Sequence, residues 1–220
     1  MVTGTLRETE ERGIRTGEEA LLSSSLESLQ QLNERTLSVL QRVALAPGAD
    51  ESQFLASLAP YFRELDARAL INIARQPFLL VDFAFGKPKV LGDLMARDLP
   101  ALRFPRPRGS LPSADAGALA RGALLLAQTV CRHHPAHAGL LLGLDPSLHE
   151  PIARLRLPDL ERIAEENTHL LRPRWENRLD VWRKLLSVET AADPDARYQF
   201  RVYGIQLMAG DLNAGARDRG

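Results

Sequence analysis

Leu22, Leu26, Leu29, Leu32, Leu37, Leu40 and Val43 recur at helical spacing and mark one apolar stripe on a long amphipathic helix over 19–45. Ser23–Ser25 are available to cap it, and Pro47-Gly48 end it. Phe54, Leu55 and Leu58 predict a second, short helix over 51–59, closed or restarted by Pro60. A third follows over 67–75. The stretch 77–85 (PFLLVDFAF) has no helical period and reads as a buried strand or an extended loop, with Asp82 turned away from Val81 and Phe83. Gly86–Pro88 is a turn, and 90–96 a short helix.

The pattern then starts again. Residues 114–131 carry the counterpart of the first long helix, and Leu140–Leu142, Leu144 and Leu148 begin a short one, with Asp145 as a cap before Pro146. Pro158 and Asp159 open a helix in which Leu160, Ile163 and Ala164 share a face. Pro173 breaks the chain. Leu179, Trp182, Leu185 and Leu186 then line the inner face of a helix over 176–186, with Arg178, Arg183 and Lys184 outside. A last helix, or a short extended piece, covers 198–212.

Several residues coincide between the halves. Leu37-Ser38-Val39-Leu40-Gln41 parallels Leu124-Leu125-Leu126-Ala127-Gln128; Ile73-Ala74 parallels Ile163-Ala164; Phe85 falls on Trp175. The expectation is an all-α protein made of two tandem helical domains, an intramolecular pseudo-dimer. Its boundaries are a tail at 1–20, a first copy at 21–97, a Pro- and Arg-rich linker at 98–113, a second copy at 114–213 and a tail at 214–220. Pro100, Pro105, Pro107, Pro112 and Gly109 keep the linker out of regular helix. Arg103, Arg106 and Arg108 make it either a solvated connector or an arm on a phosphate backbone.

Composition narrows the class. The chain has 220 residues, 45% hydrophobic and 25% charged, with a formal net charge of zero. That is globular, and it argues against nucleic-acid binding driven by overall charge. The single cysteine, Cys131, excludes an intrachain disulfide and suits a reducing cytosol. Residues 1–20 lack the apolar core of a signal peptide, and no apolar run reaches the length of a membrane span. The expected location is cytoplasmic, with no membrane partner.

No Gly-rich phosphate loop, Ser-His-Asp spacing or paired-carboxylate site stands out, so the expectation is a non-enzyme without cofactor. Cys131, His133, His134 and His137 form the one metal-like group. Pro135 disrupts its helical face, and a helix C-terminus, where His suits the dipole, accounts for it better than zinc. Asn33 lies close to the first apolar stripe. A boundary position facing solvent accounts for it; a polar residue fixing helix pairing is the sharper alternative. The densest basic set includes Arg162, Arg172, Arg174, Arg178, Arg183 and Lys184, the candidate DNA-binding residues, with Trp175 and Trp182 interleaved as core anchors. A helix, a break and a second basic helix give a helix-turn-helix-like layout, shared with any αα-hairpin.

These residues resemble the FlhD family, the small all-helical subunit of a bacterial flagellar transcription regulator. In the second copy the likeness rests on Leu124–Gln128, Leu142-Gly143, Leu157-Pro158, Ile163-Ala164-Glu165, Asn167, and on Gly204-Ile205, Leu207 and Leu212-Asn213. In the first it rests on Leu29, Leu32-Asn33, Leu37, Gln41-Arg42, Ala74, Phe83 and Phe85, and the C-terminal segment is missing. The resemblance implies a helical dimer that binds a zinc-containing FlhC-like partner and activates promoters with it. Asn167 falls on the family's partner-binding Asn, where the first copy has Pro77. Leu140 and Leu141 replace an aromatic-basic pair in the second helix and complete the candidate partner-binding set. The family's interchain cysteine is Leu171 here and Val81 in the first copy. The function implied is a transcriptional regulator or co-regulator acting with an FlhC-like partner on promoter DNA, with further oligomerisation open. The alternative is an adaptor or decoy that binds the FlhC-like subunit without touching DNA.

Overall fold

The computed structural model describes residues 3–46, 52–96, 111–190 and 194–217. The fold is mostly helical. The helices are α1 (Thr3–Ala44), α2 (Gln53–Arg63), α3 (Ala67–Ala74), α4 (Pro88–Ala96), α5 (Ser113–His133), α6 (Pro135–Leu142), α7 (His149–Arg154), α8 (Leu157–Glu166), α9 (Leu179–Thr190) and α10 (Pro194–Arg217). Short 3₁₀ turns lie at Pro146–Leu148 and Thr168–Leu170. Two strands, β1 (Val81–Asp82) and β2 (Arg172–Pro173), pair antiparallel with Val81 opposite Pro173 and Asp82 opposite Arg172.

Local chemistry sets most of these ends. Ser52 caps α2 by accepting from the backbone N–H of Leu55 at 3.4 Å, and Asp66 caps α3 by accepting from Ala69 at 2.8 Å. Asp145 accepts from Ser147 N–H at 3.0 Å and starts the 3₁₀ turn that leads into α7. Gly143 closes α6 in the left-handed region, at φ 67°. A side chain there would also run into Arg174, whose Nη1 lies 2.5 Å from where a Cβ would sit.

α1 and α5 pack along each other through the middle of the molecule, with Leu32 closing on Gly122. Leu29, Leu37 and Leu40 of α1 and Ala120, Ala123, Leu124 and Ala127 of α5 are buried. A late helix of each half then packs on the other half. α9 packs on α2 and α3, while α4 packs on the 3₁₀ turn before α7 and on α8. Trp182 of α9 lies edge-on to Phe54 of α2, ring centroids 5.7 Å apart. Burying such a side chain contributes on the order of 2–3 kcal/mol.

Several expectations change. α1 begins at Thr3, so the expected tail is helical in its backbone. α2 runs through Pro60 to Arg63 because Phe62 beyond it is buried in the core. α6 starts earlier than expected, at Pro135, and the short helix expected to follow Leu140 is divided between α6 and α7. α9 starts later than expected. α10 reaches Arg217, into the expected C-terminal tail. Residues 97–110, with the linker arginines, lie outside the described residues. The helix-turn-helix-like layout is not formed. A 3₁₀ turn and β2 separate α8 from α9, and β2 is held by β1. Among the described residues no helix is long and apolar enough to cross a membrane.

Candidate functional site

The strand pair is the junction of the two halves, and Arg174, next to it, is the most heavily bonded side chain there. Its backbone N–H donates to the carbonyl oxygen of Leu80 at 2.8 Å. Its Nε donates to Leu79 at 2.8 Å, and Nη2 donates to Val81 at 3.2 Å and to Leu142 at 2.6 Å. Its own carbonyl accepts from the Trp182 indole at 2.6 Å. Asp82 approaches Nη2 to 3.7 Å while accepting from Phe85 N–H at 3.1 Å. Asp82 therefore has the partners that a half-buried carboxylate needs. Burial pushes the Arg174 guanidinium pKa below its usual range, and Asp82 and Asp211 push it back up. A cavity of about 110 Å³ lies beside it, lined by Asp82, Asp145 and Asp211 among others.

Arg174 thus leaves the candidate DNA-binding set: its donors are turned inward to carbonyl oxygens. Arg162 pairs with Glu166 at 3.3 Å and Arg172 with Glu176 at 3.2 Å. Arg178 donates to the Tyr203 hydroxyl at 3.3 Å, and Lys184 lies over the Tyr203 ring, 4.8 Å from its centroid. Arg183 is exposed on α9 beside Lys184. The set is divided among α8, β2, the segment between β2 and α9, and α9 itself, with own-chain carboxylates beside several members. It does not converge on one phosphate-binding strip.

The candidate partner-binding residues are also scattered in role. Asn167 is buried and donates back to the carbonyl of Ile163 at 3.0 Å, closing the end of α8. Leu141 is buried in the core, and Leu140 is exposed on the outer side of α6. Trp175 and Trp182 are both core residues, as expected. Cys131 is buried, and burial pushes its thiol pKa up to about 12. Among the described residues no three His, Cys, Asp or Glu side chains are placed to share a metal ion.

Two side-chain devices escaped the pattern reading. Asn33, fully buried, donates to the carbonyls of Ala74 (3.2 Å) and Phe78 (2.9 Å) and accepts from Leu80 N–H (2.8 Å). It does not face solvent; it holds the loop between α3 and β1 against α1. Gln41 donates to the carbonyls of Phe62 and Leu65, each at 3.0 Å, and Gln128 donates to the carbonyl of Leu155. Leu65 directly precedes the N-cap of α3 and Leu155 that of α8. The two glutamines therefore perform the same task in the two halves. The backbone repeats as well: Ala84 and Trp175, each two residues beyond its strand, both have φ 55°. That places Ala84, rather than Phe85, opposite Trp175 in the internal comparison.

The fold and its junction define a mostly helical protein closed by a short antiparallel strand pair. No family model, curated protein or solved structure matches it.

Proposed function

We propose that the chain is a tandem FlhD-like pseudo-dimer, a transcriptional co-regulator that reaches promoter DNA through an FlhC-like subunit. The observation that carries the tandem part is the shared task of Gln41 and Gln128 at the entry to α3 and α8. A glutamine amide fixed to the same carbonyl in both halves is a long-range coincidence that helix propensity alone does not produce. The matched backbone at Ala84 and Trp175 and the exchange of α4 and α9 between halves support the same reading. The promoter part rests on the FlhD resemblance. The division of the basic set, with zero net charge, favours DNA contact through the complex over contact by this chain alone.

Titrating the chain against an FlhC-like subunit by calorimetry, followed by gel shift on promoter DNA, tests this. Binding of the subunit together with a shift of the complex is expected. No binding of the subunit sinks the proposal. The ion-paired basic residues also favour a second reading, in which the chain withholds the subunit from DNA. Binding with loss of the subunit's own DNA shift would identify it.

A further inference from the structure

Pro135 does not scatter the histidines around it. It opens α6 at the first helical position, where the N–H that proline lacks would be unpaired anyway. His134 is therefore both the C-cap of α5 and the N-cap of α6. Its N–H donates to the carbonyl oxygen of Val130 at 2.7 Å, and its own carbonyl accepts from His137 N–H at 2.9 Å. His137 thus stands about one turn along from His134. Their rings meet edge to face, centroids 6.0 Å apart. His134 is buried, and its Nε2 has no hydrogen-bond partner among the described residues. A buried ring nitrogen left unpaired is uncommon in a folded protein. His137 is exposed, and exposed side chains change rotamer in picoseconds to nanoseconds.

We propose that His134, through Nε2, and His137 hold a divalent transition-metal ion of the zinc, nickel or copper type, with water completing its shell. Imidazole suits these ions, and the pair offers no carboxylate for calcium or magnesium. Two imidazoles sharing an ion about 2.0–2.1 Å from each nitrogen have ring centroids roughly 5–6 Å apart. His134 and His137 lie at the edge of that range, and a turn of the exposed His137 ring brings them within it. His133 lies outside it, its ring 6.5 Å from that of His134. The site is therefore a pair, in keeping with the absence of a three-residue group among the described residues. The ion fixes the corner between α5 and α6. α6 supplies the carbonyl oxygens that receive Leu79 N–H at 2.8 Å and Arg174 Nη2 at 2.6 Å, so fixing the corner also steadies the junction of the halves. Nothing in this inference depends on the partner proposed above.

Zinc chloride titrated into the full chain, without an affinity tag, tests the site by calorimetry and by the nitrogen resonances of the imidazoles. Saturable binding is expected, with coordination shifts on Nε2 of His134 and on a ring nitrogen of His137. His137→Gln should bind at least roughly tenfold more weakly, and His133→Gln as the wild type does. Zinc should raise the melting temperature of the wild type and leave that of His137→Gln unchanged. No saturable binding overturns the assignment. Binding that survives His137→Gln, or that His133→Gln removes, overturns it equally. Circular dichroism checks that His137→Gln is folded; if it is not, the nitrogen shifts of the wild type decide, and shifts on neither His134 nor His137 refute the site.

Discussion

Nε of Arg174 donates to the carbonyl oxygen of Leu79 at 2.8 Å, across the junction of the two halves. With Val81 and Leu142 also accepting from Nη2, one buried guanidinium satisfies three backbone carbonyls. Arg174→Met should therefore cost about 3–5 kcal/mol, because the carbonyls stay buried and unpaired. Urea unfolding measures it. A loss below about 1 kcal/mol would mean that water replaces the guanidinium, and the junction would not depend on it.

Asn33 presents a similar test away from the strands. Leucine fills the same space but bonds with none of Ala74, Phe78 and Leu80. Asn33→Leu should destabilise by about 2–4 kcal/mol, the cost of leaving several buried backbone groups unpaired. Amide exchange at Leu80 should quicken more than exchange within α5, since the loop is what Asn33 holds. Uniform quickening would count against that local role.

Gln41→Met and Gln128→Met compare the halves directly. Each removes a side-chain amide from the carbonyl that precedes a helix. Each should cost about 1–2 kcal/mol. A large cost at one position with none at the other would separate the two tasks and weaken the tandem reading.

Gly204 sets two effects against each other. Alanine gains up to about 1 kcal/mol of helix propensity in α10. A methyl there would collide with the Phe78 ring. Overpacking costs about 1–3 kcal/mol, so Gly204→Ala should lower the melting temperature. A rise would show that α10 can shift away from Phe78 freely.

Cys131 carries the pH prediction. The folded thiol is pushed up from its usual 9.0 to about 12, because burial disfavours the thiolate. A raised pKa on an acidic group favours the folded state fully below about pH 9. That contribution is lost as pH rises from about 9 towards 12. Stability of the wild type should fall over that range more steeply than that of Cys131→Ala. Alkylation by iodoacetamide at pH 8 should be slow in the native protein and fast in urea. Equal rates would place the thiol at the surface.

Much of the helical layout was legible because burial follows the 3.6-residue period: Leu29, Leu37 and Leu40, and Trp182, Leu185 and Leu186, are inside as their spacing predicts. The cap at Asp145 was short-range chemistry. Asn33 and Arg174 were not legible, because their partners lie far along the chain and a polar residue near an apolar stripe has two local explanations. One signal was present. Arg162 and Arg172 each have a glutamate four residues on, at Glu166 and Glu176, whereas Arg174 has no carboxylate three or four residues away. The length of α1 was missed because its first turns carry no apolar stripe, and its early glycines read as a tail.

The register of β1 on β2 has a further consequence. Strands that meet their own copies across a two-fold axis must place the same residue couple on both sides of it. Here one couple is Val81 with Pro173 and the other Asp82 with Arg172. On the tandem reading, these are the two positions that symmetry would have made identical. Joining the copies in one polypeptide lets an apolar couple face one way and opposite charges the other. Each substitution at the seam is then felt once rather than twice, which leaves the halves free to specialise.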